Sequence, residues 1–125
     1  MKPLELTVDP GQNIFRMSFC GVIAADAMHA EATHSVELIG QLRAGFTVLA
    51  DLTDLERMEL DCVPHITRLM DRFVTAGVGR VVRIIPDPDK DIGFTLLSLT
   101  HYRGRVPIMT CATRGEAELA LAQLD

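Results

Sequence analysis

The residues with the clearest chemical potential are cysteines and histidines. Cys62 and His65 are three positions apart, a spacing that brings two side chains onto one face of a helix. A thiol becomes a nucleophile when an imidazole or a helix N-terminus stabilises its thiolate. The chain could therefore be a Cys/His-dependent enzyme. Its nucleophile would be Cys62 or Cys111, and its base would be His65 or His101. We keep this as a weaker alternative, because such a spacing often arises by chance and Cys111 lies in an apolar stretch typical of a buried side chain.

Metal and nucleotide sites lack a complete set of residues. His29 and His34 are five positions apart and face different sides of a helix, and the chain has no HExxH or CxxC motif. Gly77 and Gly79 lie in the segment AGVGRV, which lacks the GxxxxGK[ST] pattern of a phosphate-binding loop. We therefore predict neither a metal nor a cofactor.

Asp51 lies near the carboxyl end of an apolar run and invites comparison with the phospho-acceptor of a receiver domain. A receiver also needs an acidic pair after its first strand, to bind Mg²⁺, and a lysine after its fifth. Only Lys2 and Lys90 are present, and the chain opens with a predicted hairpin. We therefore interpret Asp51 and Asp54 as acceptors for loop amides near the strand end.

The six methionines suggest an alternative function. Met28, Met58 and Met70 are flexible apolar side chains that could line an adaptable pocket. A small-molecule or lipid-binding domain is therefore the second hypothesis. Met28 and Met70 also fit the apolar stripes of predicted helices, which favours the core for both.

Length and charge limit the classes of function. The 125 residues suit one domain, residues 1–125, and 48% apolar with 23% charged residues is typical of a globular protein. The net charge of −5 would repel nucleic acid and anionic membranes, so we predict neither as a partner. One group of cations could form a local basic face, although we interpret its members as solvated: Arg80, Arg83, Arg103 and Arg105.

Cysteine usage and hydropathy indicate the compartment. The three cysteines are odd in number and widely spaced, so we expect reduced thiols. Residues 1–9 lack the apolar stretch of a signal peptide, and nowhere do 18 apolar residues follow one another. We therefore expect a cytoplasmic protein.

The first elements must form a hairpin followed by a helix. Apolar residues alternate with polar ones over residues 4–8 and 14–20, which predicts two strands joined by a tight turn. Gly21 is predicted to end the second strand. Apolar residues then recur every three or four positions over residues 24–43, which predicts a helix that Gly45 ends.

The middle of the chain supplies the central strand. Residues 46–52 form an almost unbroken apolar run, typical of a strand covered on both faces. After a polar connection, residues 66–74 carry the stripe of a second helix, which Gly77 closes in a left-handed conformation. Residues 81–85 form a fourth strand, and a proline-containing turn precedes a short helix over residues 91–102.

The last elements are a strand and a helix. Residues 106–111 form the fifth strand, and Pro107 indicates an edge position. Thr113 and Glu116 fit the capping box that begins a helix. The order ββαβαβαβα predicts an α/β fold with a mixed, mainly parallel five-stranded sheet and about four helices.

This element order, the glycine after the second strand and the segment VLADLTDLERMELDCV (residues 48–63) resemble a STAS domain of the SpoIIAA-like type over nearly the whole chain. That family is typified by bacterial anti-sigma factor antagonists, which are cytoplasmic regulators. The resemblance implies a non-catalytic protein-interaction module. Its partner would be an anti-sigma factor, another regulator or, as a homodimer, a second copy of the chain.

The resemblance also implies a site. In the typical family a D-S-S-G motif follows the third strand, and phosphorylation of a serine in it breaks the complex with a kinase-type anti-sigma factor. Here Glu59 stands at the position of the Asp, Leu60 at the first Ser, Asp61 at the regulated Ser and Cys62 at the Gly. The predicted partner-binding residues are Thr53, Asp54, Glu59, Asp61, Cys62 and His65.

Asp61 has two interpretations. A helix N-terminus favours a negative charge, so Asp61 could take the place of part of a phosphoserine's charge and fix the surface in one state. The interpretation that we favour is an ordinary N-cap, worth about 1 kcal/mol.

Overall fold

Five strands form one sheet with the order β1-β2-β3-β4-β5 in the computed structural model, which describes residues 2–86 and 106–123. The pair β1–β2 is antiparallel and the other three pairs are parallel. This confirms the predicted α/β class and the mixed, mainly parallel sheet. The strands are β1 (Leu4–Asp9), β2 (Ile14–Ile23), β3 (Thr47–Met58), β4 (Arg80–Ile84) and β5 (Ile108–Cys111).

Three helices in the described residues pack on the two faces of the sheet. They are α1 (Ala25–Ile39), α2 (Val63–Thr75) and α3 (Arg114–Ala122). Buried side chains of α1 and α2 form the larger core with one sheet face, and Ala117 of α3 packs against the other. None of these helices is both long and apolar enough to cross a membrane. The predicted helix over residues 91–102 lies outside the described residues.

Gly21 does not end the second strand, contrary to the prediction. β2 continues to Ile23, and Gly21 adopts φ +69° within it. A side chain at such a positive φ would be strained, which explains the glycine. The pairing of β2 with β3 shifts on both sides of Gly21, so the glycine belongs to a pair of bulges.

β3 is longer than the predicted strand over residues 46–52. It extends to Met58, so the polar connection predicted there is wrong. Between the pairs Ser18–Asp51 and Cys20–Asp54, β3 advances by three residues while β2 advances by two. These irregularities break the alternation of apolar and polar residues on which a strand prediction depends.

α1 is shorter than the predicted helix over residues 24–43. It ends at Ile39, where Gly40 takes the C-cap position. The amides of Gln41 and Leu42 then donate to carbonyls three residues back, because glycine weakens the helix and the chain tightens into turns. Gly45 lies beyond these turns, next to β3, and does not end the helix.

The ends of α2 and α3 follow their predicted signals. Gly77 has φ +89°, the left-handed conformation expected after α2. The Thr113 side chain accepts a hydrogen bond from the Glu116 amide at 3.1 Å, which confirms the capping interaction. The Glu116 carboxylate reaches back to the amide of Ala112 at 2.9 Å. Among the described strands β5 lies at the edge of the sheet, as Pro107 indicates.

Candidate functional site

The segment that joins β3 to α2 is short and ordered. β3 ends at Met58, and a single 3₁₀ turn (Leu60–Cys62) leads directly into α2. The Glu59 amide donates to the Ile23 carbonyl at 3.0 Å, and the Cys62 amide donates to the Glu59 carbonyl at 2.9 Å. The first bond holds the segment against the end of β2, and the second closes the 3₁₀ turn.

This segment exposes apolar and acidic side chains side by side. Leu60 is 86% exposed and Val63 is 42% exposed. Glu59 and Asp61 are exposed as well. We call these four residues the β3–α2 surface. The sequence signal that could have identified Leu60 is an apolar residue in a short turn between two carboxylates.

Asp61 is not the N-cap of α2. Cys62 occupies that position, and no side chain provides a capping hydrogen bond to α2 or to the 3₁₀ turn. Asp61 lies in the first turn of the 3₁₀ helix. The N-cap interpretation is therefore wrong, because the extra turn places Asp61 before the start of α2.

Cys62 is buried and does not contribute a side chain to the surface, contrary to the prediction. Its thiol donates to the Ile23 carbonyl at 3.5 Å. Burial, with the negative charge of Glu59 nearby, raises the pKa of the Cys62 thiol. Burial also raises the pKa of Cys111. Both thiols therefore stay protonated near neutral pH, which opposes the Cys/His-dependent enzyme.

His65 packs against a histidine of α1. The ring centroids of His65 and His29 are 4.9 Å apart and the rings are tilted by 60°. Nδ1 of His65 is buried and has no hydrogen-bond partner among the described residues. No group of three or more metal-ligating side chains occurs in residues 2–86 and 106–123. His101 lies outside these residues.

Thr53 and Asp54 belong to a separate cluster on the α3 side of the sheet. Asp51 accepts hydrogen bonds from the Thr53 amide at 3.0 Å and from Arg114 Nε at 2.6 Å. Arg114 Nη2 donates to Asp54 at 2.9 Å. Arg114, at the start of α3, thus joins both carboxylates, a contact that the sequence analysis missed. The predicted site residues therefore fall into two groups.

Burial would raise the pKa of Asp51, but hydrogen bonds from Thr53 and Arg114 outweigh this effect and lower it. A lowered pKa means that ionised Asp51 stabilises the fold above its unfolded pKa, and that this stability is lost as pH falls through the folded pKa. We expect Asp51→Asn to reduce the free energy of unfolding by about 1 kcal/mol at pH 7. The difference in the free energy of unfolding between wild type and Asp51→Asn should shrink as the pH falls towards 3.

Urea denaturation of wild type and Asp51→Asn at pH 7 and pH 3 measures this difference in stability. Asp54→Asn is the control, because Asp54 contacts the same arginine but is 55% exposed in its side chain. Its effect should be smaller at pH 7. A difference between wild type and Asp51→Asn that stays constant with pH would contradict the electrostatic explanation.

Met28 and Met70 do not line a ligand-sized pocket in the described part of the chain. Met28 and Met70 border a core cavity of about 20 Å³, far below the roughly 300–1,000 Å³ of small-molecule sites. Met28 and Met70 are buried core residues, and Met58 packs against the core from its edge. The described core therefore does not favour the small-molecule or lipid-binding alternative.

Arg80 and Arg83, two of the four arginines that could form a basic face, lie in different environments. Arg83 is buried on β4, where it donates to the Thr110 hydroxyl at 2.8 Å, and burial lowers its pKa. Arg80 instead lies at the start of β4 and lines an open cleft. Arg103 and Arg105 fall outside the described residues. Arg80 and Arg83 therefore do not share one exposed face.

Comparisons with solved structures identify this arrangement. The unphosphorylated anti-sigma factor antagonist SpoIIAA matches with a TM-score of 0.64 and 18% identity, covering 97% of this chain and 99% of that one. An uncharacterized protein from Shewanella loihica with a SpoIIAA-like fold matches with a TM-score of 0.69 and 10% identity, covering 94% and 91%. An anti-sigma factor antagonist from Mycobacterium paratuberculosis matches with a TM-score of 0.58 and 16% identity, covering 95% and 94%.

These likenesses confirm the STAS-like fold that the resemblance implies. The chain has a SpoIIAA-like fold over nearly its whole length. No protein-family model and no curated protein sequence matches the chain. At identities of 10–18%, the shared fold is what the comparisons establish.

Proposed function

We propose that this protein is a non-catalytic regulatory module that binds a protein partner through the β3–α2 surface. The observation that carries the proposal is Leu60, an apolar side chain 86% exposed in an ordered turn between two carboxylates. Exposing an apolar side chain to water is unfavourable, and burying it against a partner recovers that free energy. The SpoIIAA-like fold supports the same conclusion.

The partner class follows from the relatives. SpoIIAA and the Mycobacterium paratuberculosis protein are anti-sigma factor antagonists. By this analogy the partner is an anti-sigma factor or another regulator. The alternative is a homodimer, in which the partner is a second copy of the chain. A net charge of −5 opposes binding to nucleic acid. The proposal places residues 1–125 in the cytoplasm as one STAS-like domain.

Asp61 is the residue through which we propose that the partner surface carries a fixed negative charge. By the resemblance, Asp61 stands where the family has a phosphorylated serine, and an aspartate supplies a negative charge there without a kinase. It is exposed and forms no capping bond, so its charge is available to a partner. We infer that the surface stays in one charge state.

An affinity pull-down with mass spectrometry from the source cell tests the proposal. We expect wild type to retain a regulator that the double variant Glu59→Ala, Asp61→Ala loses, because the variant removes both carboxylates beside Leu60. The stability of the variant should stay within about 0.5 kcal/mol of wild type, since neither side chain caps a helix.

The matched control is the double variant Glu5→Ala, Glu37→Ala. It removes two exposed carboxylates from β1 and α1 and leaves the β3–α2 surface intact. The control should retain the regulator. Recovery of the same proteins with both double variants would contradict the proposed surface. Light scattering after size-exclusion chromatography tests self-association of wild type separately.

A further inference from the structure

A cleft of about 490 Å³ opens at the amino ends of β2, β3 and β4. Three arginines from different elements line it: Arg16 of β2, Arg43 of the α1–β3 loop and Arg80 of β4. The cleft lies at the end of the parallel strands opposite to the β3–α2 surface. It therefore belongs to a different part of the molecule from the proposed partner site.

The charge of the cleft is opposite to that of the chain. Its three arginines and one glutamate, Glu118, give a net charge of +2, whereas the chain carries −5. The Arg80 side chain makes no hydrogen bond or ion pair with another described residue. Arg43 Nη1 donates a hydrogen bond to the Pro10 carbonyl at 3.3 Å. The other N–H groups of this guanidinium remain available to bind a ligand. Within residues 2–86 and 106–123, guanidinium donors of Arg43 and Arg80 therefore face the cleft without a carboxylate partner.

Glu118 partly occupies this cationic site. Its carboxylate accepts from Arg16 Nη1 at 3.1 Å, an ion pair between two partly exposed side chains. The bound carboxylate shows that Arg16 can hold an anion in this position. It also competes with any anion that enters from solvent.

Hydrogen bonds of the Asn13 side chain and of the backbone hold the loops around the cleft. Asn13, in a left-handed conformation with φ 60°, accepts from the Arg43 amide at 2.8 Å and donates to its carbonyl at 3.1 Å. The Gly45 amide donates to the Gly77 carbonyl at 2.7 Å, and the Gly79 amide donates to the Phe46 carbonyl at 2.7 Å. A preformed site loses less conformational entropy when it binds a ligand.

We propose that this cleft binds a small phosphorylated molecule that carries at least two negative charges. A phosphate group offers several acceptor oxygens, and the planar guanidinium matches their geometry. The volume of the cleft falls in the range of small-molecule sites. Ile14 and Leu121 also line the cleft, and their apolar atoms suit the organic part of such a molecule.

Titration calorimetry with inorganic pyrophosphate at low ionic strength tests this site. Wild type should bind, and Arg80→Ala should weaken binding at least tenfold. Arg68→Ala is the matched control, because it removes one exposed arginine from α2, on the opposite face of the sheet, and should change affinity less than twofold. Equal losses in both variants, or no binding to wild type, would overturn the proposal.

A second variant moves affinity in the other direction. Glu118→Gln removes the carboxylate that competes for Arg16, so pyrophosphate should bind at least threefold more tightly. This exposed substitution also keeps the test valid if Arg80→Ala fails to fold. Unchanged or weaker binding by Glu118→Gln would overturn the role of Arg16. Because the test needs no protein partner, its result is independent of the β3–α2 surface.

Discussion

Replacing Leu60 with glutamate is expected to weaken binding of the regulator retained by wild type about 100-fold. Leu60 is 86% exposed in the free protein and would lose its water in the complex. A buried, unpaired carboxylate costs several kcal/mol, and 100-fold corresponds to about 2.7 kcal/mol. Glu59 and Asp61 on either side would repel the new charge as well. Titration calorimetry with the purified regulator measures the affinity.

The matched control for this substitution is Leu119→Glu. Leu119 is 62% exposed on α3, far from the β3–α2 surface, so the same change is made where no partner is proposed. We expect less than a twofold change in affinity, and both variants should unfold at temperatures close to that of wild type. Tight binding by Leu60→Glu would contradict the proposed contact.

Local patterns in the sequence predict the regular parts of the fold. The stripe on α2 and the alternation on β1 both correspond to buried side chains in the structure. The capping box places the start of α3 correctly, since Thr113 caps the Glu116 amide. These features depend on residues within one or two turns of each other, which is why a single sequence contains them.

The predictions fail where the backbone is irregular. The bulges around Gly21 and within β3 disturb the two-residue period, so the strands appear to stop early. The turns after Gly40 keep a helix-like spacing of apolar residues without helical geometry. The strand pattern breaks because β2 pairs irregularly with the distant β3. The helical pattern continues past the end of α1 because Gly40 stops the helix without changing the apolar spacing.

The candidate sites depend on contacts between residues far apart in the chain. Arg114 contacts Asp51 across 63 positions, and Arg16 contacts Glu118 across 102. No local pattern records such a contact. Conversely, the spacing of Cys62 and His65 suggests a pair, but the fold buries the thiol and packs His65 against His29. Spacing along a helix predicts a shared face only if both residues belong to the helix proper.

The core that holds α2 against the sheet should depend strongly on one aromatic side chain. Phe73 is 1% exposed, and its ring makes an edge contact with Phe15 at 4.9 Å and with Phe46 at 6.1 Å between centroids. We expect Phe73→Ala to reduce the free energy of unfolding by about 3–5 kcal/mol, through lost burial and a cavity among rings. Equilibrium urea denaturation measures the loss.

A control variant on the same helix tests whether this loss of stability comes from the aromatic core. Thr75→Ala changes an exposed residue of the same helix and should cost less than about 0.5 kcal/mol. A loss below about 1 kcal/mol for Phe73→Ala would mean that the core closes around the missing ring. Because Phe73 lies near the opposite end of α2 from Val63, the folded variant should bind the regulator as wild type does. Stability and partner binding are therefore separable within one helix.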